Sequence, residues 1–236
     1  MEMGKQIRTI SSSLAALVVA ANASAGFVPS TPTFVVNSTA GSATVSNTAT
    51  QLAPGVFAHT GAWSVVGASI NWTNNVFAWN DATNSGFLNT NLVIKNETTS
   101  NQTFVFYATM AGSGSGSYNL NGSVGGQFMN ATPGLGMLSS TGPMWSAIVD
   151  TTAVNSQLID RTFFAPPFSG ASIGSFNFAQ PYGSAITSGV GIRFSLTISA
   201  GVEANLTSSF GIQVPAPGAL ALLGFVPLTG RGRRRR

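Results

Sequence analysis

His59 is the only imidazole in a chain of 236 residues that contains no Cys. One His with no second His or thiolate builds no zinc or copper site. A Ser-His-Asp triad would need a nucleophile that no motif marks. The segment Gly55-Val56-Phe57-Ala58-His59-Thr60-Gly61 reads as a turn carrying an ordinary surface histidine. Carboxylates are the other candidates, and between Gly26 and Gln213 they are Asp81, Glu97, Asp150, Asp160 and Glu203. A glycosidase needs two of them facing each other across a cleft, and nothing in their spacing recommends a pair. Asp150 and Asp160 flank a polar turn whose oxygens could hold Ca²⁺, yet the D-x-D-x-D spacing of a calcium loop is absent. The expectation is a protein that is not an enzyme, with no catalytic residue, no metal and no cofactor.

One segment suits binding better than catalysis. Trp72-Thr73-Asn74-Asn75-Val76-Phe77-Ala78-Trp79-Asn80-Asp81 concentrates aromatic rings with amides. Sugars present apolar faces and directional hydroxyls together, so stacking rings flanked by amides are what a carbohydrate surface needs. Trp72, Trp79, Asn80 and Asp81 are the candidate contacts. The alternative is that Trp63, Trp72, Trp79 and Trp145 fill the space between two sheets. Coplanar exposure or burial decides between the two.

The elements that must position these residues read as strands. Only 7% of the chain is charged while 44% is hydrophobic, so a core is affordable and the surface must be Ser, Thr, Asn and Gly. Period-2 alternation recurs and no helical period competes with it. Val202, Ala204, Leu206, Ser208, Phe210, Ile212 and Val214 share one face of a long strand. Phe194, Leu196 and Ile198 share one face of the strand before it, and Ala200-Gly201 reads as the turn of a hairpin joining the two. Further segments are 33–37, 63–72, 87–96, 103–110, 118–129, 144–150 and 172–178. Eight to ten short strands with polar loops predict an all-β fold: a single antiparallel β-sandwich, jelly-roll-like, over residues 26–213, with 26–51 as a partly extended arm.

Charge excludes one class of partner. The net charge of +4 comes from the ends, where Lys5, Arg8, Arg231, Arg233, Arg234, Arg235 and Arg236 lie. Between Gly26 and Gln213 only Lys95, Arg161 and Arg193 oppose the five acids, a net of −2. A body without a basic patch has no footprint for phosphates, so no nucleic-acid partner is expected.

The ends read as addresses. Lys5 and Arg8, an apolar stretch over residues 10–21 and Ala23-Ser24-Ala25 make a secretory signal helix over residues 1–25, cleaved before Gly26 by signal peptidase. About twelve apolar residues are too few to cross ~30 Å of hydrocarbon. At the other end, residues 214–236 hold Val214-Pro215-Ala216-Pro217, an apolar run over 219–228 that predicts a short tail helix, and the terminal cluster Arg231, Arg233, Arg234, Arg235 and Arg236. Such a run falls short of a comfortable span, while the arginines act as a positive-inside stop, a combination suited to a transient anchor in the inner membrane.

This three-part tail resembles the PEP-CTERM sorting signal of bacterial surface proteins, in which a Val-Pro-Glu-Pro-like motif precedes a hydrophobic segment and an Arg cluster. Val214, Pro215 and Pro217 match the motif. Ala216 stands where the commonest form has Glu, and Pro227 interrupts the apolar run. The segments 91–96, 102–106, 122–126 and 144–150 also look like the bodies of uncharacterised PEP-CTERM proteins. The resemblance implies an exosortase-like processing enzyme as partner. The destination it implies is the cell surface or extracellular matrix, with extracellular polysaccharide, as in a biofilm, as a further possible partner. The expected function is a non-catalytic secreted surface or matrix protein; a carbohydrate-binding module is the alternative. Seven Asn-x-Ser/Thr tripeptides between Gly26 and Gln213, among them Asn96-Glu97-Thr98 and Asn130-Ala131-Thr132, are sequons by pattern alone.

Overall fold

The structure is a computed structural model that describes residues 28–41, 44–80 and 85–214. The signal helix, its cleavage site, the tail helix and Asp81 lie outside these residues. The described chain is all-β, with antiparallel pairing throughout. Its strands are β1 (Val28–Ser38), β2 (Thr44–Ala53), β3 (Val56–Val65), β4 (Ala68–Asn80), β5 (Ser85–Asn96), β6 (Gln102–Ser113) and β7 (Tyr118–Asn130). They continue with β8 (Gly136–Ser139), β9 (Pro143–Val149), β10 (Thr152–Ile159), β11 (Thr162–Ala165), β12 (Gly170–Tyr182), β13 (Gly189–Ile198) and β14 (Val202–Gln213). Two seven-stranded sheets result. Sheet I runs β1-β6-β13-β8-β11, with β9 also on β13 and β10 on β9; sheet II runs β12-β7-β14-β5-β4-β3-β2.

Alternation explains why the sheets share one core. On β14 every second side chain from Val202 to Val214 is buried, and the intervening ones face outward except Gly211. Aromatic pairs then join the sheets. Phe34 of sheet I stacks on Trp72 of sheet II at 5.4 Å and 16°, Trp63 meets Phe104 edge-on at 6.3 Å, and Trp145 meets Phe178 at 5.9 Å. The buried rings among these, Trp63, Trp72, Phe104 and Trp145, each contribute about 2–3 kcal/mol through burial.

Several expectations need correction. Of the expected arm over 26–51, the described residues 28–38 and 44–51 are sheet: β1 pairs with β6 and β2 with β3. The segment 63–72 is two strands, because Gly67, at φ 77°, turns β3 back into β4. The link after Ile198 is not a hairpin turn. β13 belongs to sheet I and β14 to sheet II, so Ser199-Ala200-Gly201 carries the chain between sheets.

That crossing is one of three side by side. β5 to β6 and β7 to β8 also pass from sheet II to sheet I, and β5 and β7 are the two neighbours of β14. The crossings are laced together by backbone bonds: Gly201 N–H donates to the Asn96 carbonyl at 2.7 Å and Ala131 N–H to the Gly201 carbonyl at 3.0 Å. Gly201 has φ 70°, and an added Cβ would collide with the Thr132 methyl, so glycine is required there.

Asn96 and Asn130 complete the lacing by one device used twice. Each Oδ1 accepts from the backbone N–H and the hydroxyl of the Thr two residues on, Thr98 (3.0 and 2.7 Å) and Thr132 (3.0 and 2.8 Å). Such an Asx turn ends the strand where the chain must leave the sheet. Each Nδ2 then reaches across to sheet I: Asn96 donates to Ile198 O at 3.0 Å, Asn130 to Ala165 O at 3.4 Å and Pro166 O at 3.1 Å. Both side chains are buried.

Candidate functional site

The chemistry-bearing side chains are dispersed. Asp150 and Asp160 sit at opposite ends of the β9–β10 pair, so they offer no shared calcium site. Asp150 Oδ1 accepts from the N–H groups of Thr187 (2.8 Å), Ser188 (2.6 Å) and Gly189 (3.3 Å), pinning the loop before β13. Partial burial pushes this carboxyl up, but the N–H bonds from Ser188, Thr187 and Gly189 outweigh it and hold it below its usual range. Asp160 accepts from Gly142 N–H at 2.6 Å. Glu97 pairs with Lys95 at 2.7 Å on the surface, and Glu203 lies opposite Lys95 on β14. Among the described residues no three His, Asp or Glu come together.

His59 is not a loop histidine. It sits inside β3, 1% exposed, with its ring 5.4 Å from Phe34 and perpendicular to Phe77 at 5.3 Å. Nδ1 lies 3.4 Å from Asn47 Nδ2, and Asn47 Oδ1 accepts from the Trp72 indole at 3.4 Å. Nε2 has no hydrogen-bond partner among the described residues. Burial therefore pushes the imidazole below its ordinary value near 6.5, with no carboxylate to counter it. Since the unfolded chain binds the proton more readily, stability is complete above about pH 6.5 and falls as pH drops from there to the folded value. Asp150, with its pKa lowered, acts only in a lower window, below the ordinary carboxylate range. Melting temperatures between pH 7.5 and 5 should fall for the native protein and stay flatter for His59→Gln.

The predicted sugar contacts do not form a platform at Trp72. Its ring is buried, for the reason its neighbours give: Ile70 and Trp72 face inward while Asn71 and Thr73 face out. Trp79 is placed on β4 opposite Gly86, but its ring lies outside what is described; Asn80 is exposed at the end of that strand.

What β4, β5, β14, β7 and β12 present outward is a field of amides and hydroxyls that the sequence reading missed. Registered rows read Asn71–Val93–Asn205–Gln127–Ser172, then Thr73–Asn91–Thr207–Gly125–Ser175, then Val76–Asn89–Ser209–Ser123–Asn177. The Ser123 and Ser209 hydroxyls bond each other at 2.9 Å. Phe87, 45% exposed opposite Gly211, supplies an apolar ring on the same face. Amides donate and accept, and hydroxyls do both, so this surface matches sugar hydroxyls or ordered water without using charge. The signal was available as the polar half of each alternating strand, but which halves align depends on register across five strands.

Two sequons have a structural use instead of an acceptor one. The Asn96 and Asn130 amides are buried and engaged, so neither is free for a glycan in the folded protein. No protein-family model matches the chain, and no curated protein matches it.

Proposed function

We propose that this is a non-catalytic secreted protein of the bacterial cell surface or extracellular matrix, a jelly-roll-like β-sandwich delivered by signal peptidase and an exosortase-like enzyme. The observation that carries the reading is where the last described strand ends. Among the described residues, β14 ends at Gln213 and Val214 is the last one packed against the core. The sorting motif Val214, Pro215, Ala216 and Pro217 thus begins where the last described strand ends, and removing the chain after it takes away none of the fourteen described strands. The tail with its arginines holds the precursor at the inner membrane until it is cut. Substituting Pro215→Ala and Pro217→Ala together tests this: the variant should accumulate in the membrane fraction with its terminal arginines intact, while the native protein leaves it. Equal release of both would remove the motif from the mechanism.

A second reading, binding of extracellular polysaccharide, is favoured by the amide and hydroxyl rows of sheet II with Phe87 beside them. It replaces the contact around Trp72 with an amide- and hydroxyl-rich face whose charges, Lys95 and Glu203, lie paired at one end, suited to a hydrated neutral polymer.

A further inference from the structure

Three of the four sheet edges carry the features that keep strands from pairing with other molecules. β1 contains Pro29 and Pro32, with a register shift between them. β12 contains Pro181 and a bulge between Ser172 and Gly174, where Gly174 has φ 83°. On the remaining side of sheet I, β11 is four residues long and β10 is interrupted between Ala153 and Asn155.

β2 is different. Its ten residues, TVSNTATQLA, include no Pro and no Gly and, as in the other edge strands, no charge, and its only register shift falls at the end, between Gln51 and Ala53. It pairs with β3 on one side and, among the described residues, with nothing on the other. Asn47, Thr48, Thr50, Gln51 and Leu52 are all exposed. We propose that the free edge of β2 pairs antiparallel with β2 of a second copy, joining two copies of sheet II into one continuous sheet.

The charge pattern selects a second copy as the occupant. A two-fold antiparallel pairing sets residue i of one strand opposite residue j of the other and j opposite i, so a Lys or Glu near the axis would lie beside its own copy, with Cβ atoms roughly 4.5–5.5 Å apart, and repel. β2 carries none over its whole length, in a chain whose surface must otherwise stay apart through polarity alone. Thr and Val suit a paired strand, and Thr–Thr contacts across the junction add to it. This inference does not depend on secretion or on glycan binding.

Sedimentation equilibrium of the protein over a wide concentration range tests it, with melting curves run alongside. The native protein should be a dimer. Thr48→Lys with Thr50→Lys, at exposed positions on the outer face, should be a monomer with an unchanged melt; so should Thr48→Glu with Thr50→Glu. Mixing the two variants should restore a dimer containing one of each, which damage to the fold would not produce. A native monomer at every concentration, a lysine variant that dimerises like the native protein, or a mixture that stays monomeric overturns the proposal. A native monomer that gains mass only with other material from the cell assigns the edge to a different strand, and equally overturns self-pairing.

Discussion

Trp72→Ala should lower stability by about 3–5 kcal/mol, the usual loss for emptying a buried aromatic site. In a domain of this size that shifts the melting temperature by on the order of 10 °C. The ring is in contact with Phe34 and Phe106, and its indole bonds Asn47, so the substitution opens a cavity between the sheets and frees β1 and β2 together. Phe87→Ala is the contrast. That ring is exposed, so its loss should leave the melt almost unchanged and act on polysaccharide retention alone. A Trp72→Ala variant that melts normally but loses sugar binding would restore the exposed-platform reading and contradict the packing described here.

Asn96→Ala and Asn130→Ala should each cost about 2–3 kcal/mol, because each strands buried partners that water cannot reach fully. Removing Asn96 leaves Ile198 O and the Thr98 N–H without it; removing Asn130 does the same to Ala165 O and the Thr132 N–H. Asp at either position is informative. It keeps the oxygen that caps the turn but replaces the amide donor with a second acceptor facing a carbonyl, so it should destabilise about as much as Ala. The two sites share Gly201, bonded by Asn96 on one side and Ala131 on the other, so the double variant should depart from additivity. Chemical denaturation of the four proteins measures this directly. Single variants that unfold like the native chain would show that the crossings hold without the asparagines.

What could be read from the residues alone was local. The face of β14 is visible as strict alternation from Val202 to Val214, and all-β class follows from several such segments. Failures came where the answer is set by distant partners. Ala200-Gly201 has the composition of a hairpin turn, and only pairing with β6 and β5 decides that its flanking strands lie in different sheets. The segment from Gly55 to Gly61 reads as a turn around His59, whereas the turn ends before Val56 and His59 is already in the strand. Trp72 reads either as a sugar contact or as filling between the sheets, and Asn71 and Thr73, which mark the opposite face, decide for the second. Asn-x-Thr serves as a glycan acceptor or as an Asx turn with the same spacing, and burial alone separates the two uses. The amide rows of sheet II need five strands in register before they exist at all.

The claim that the fold is a cargo delivered by its two ends is tested most directly by the intact mass of the protein recovered from its native cells. The expected mass lacks residues 1–25 and the tail beyond the motif that ends at Pro217, and it belongs to protein found outside the inner membrane. A mass that still includes Arg233 to Arg236, in protein that has reached the surface, would contradict it.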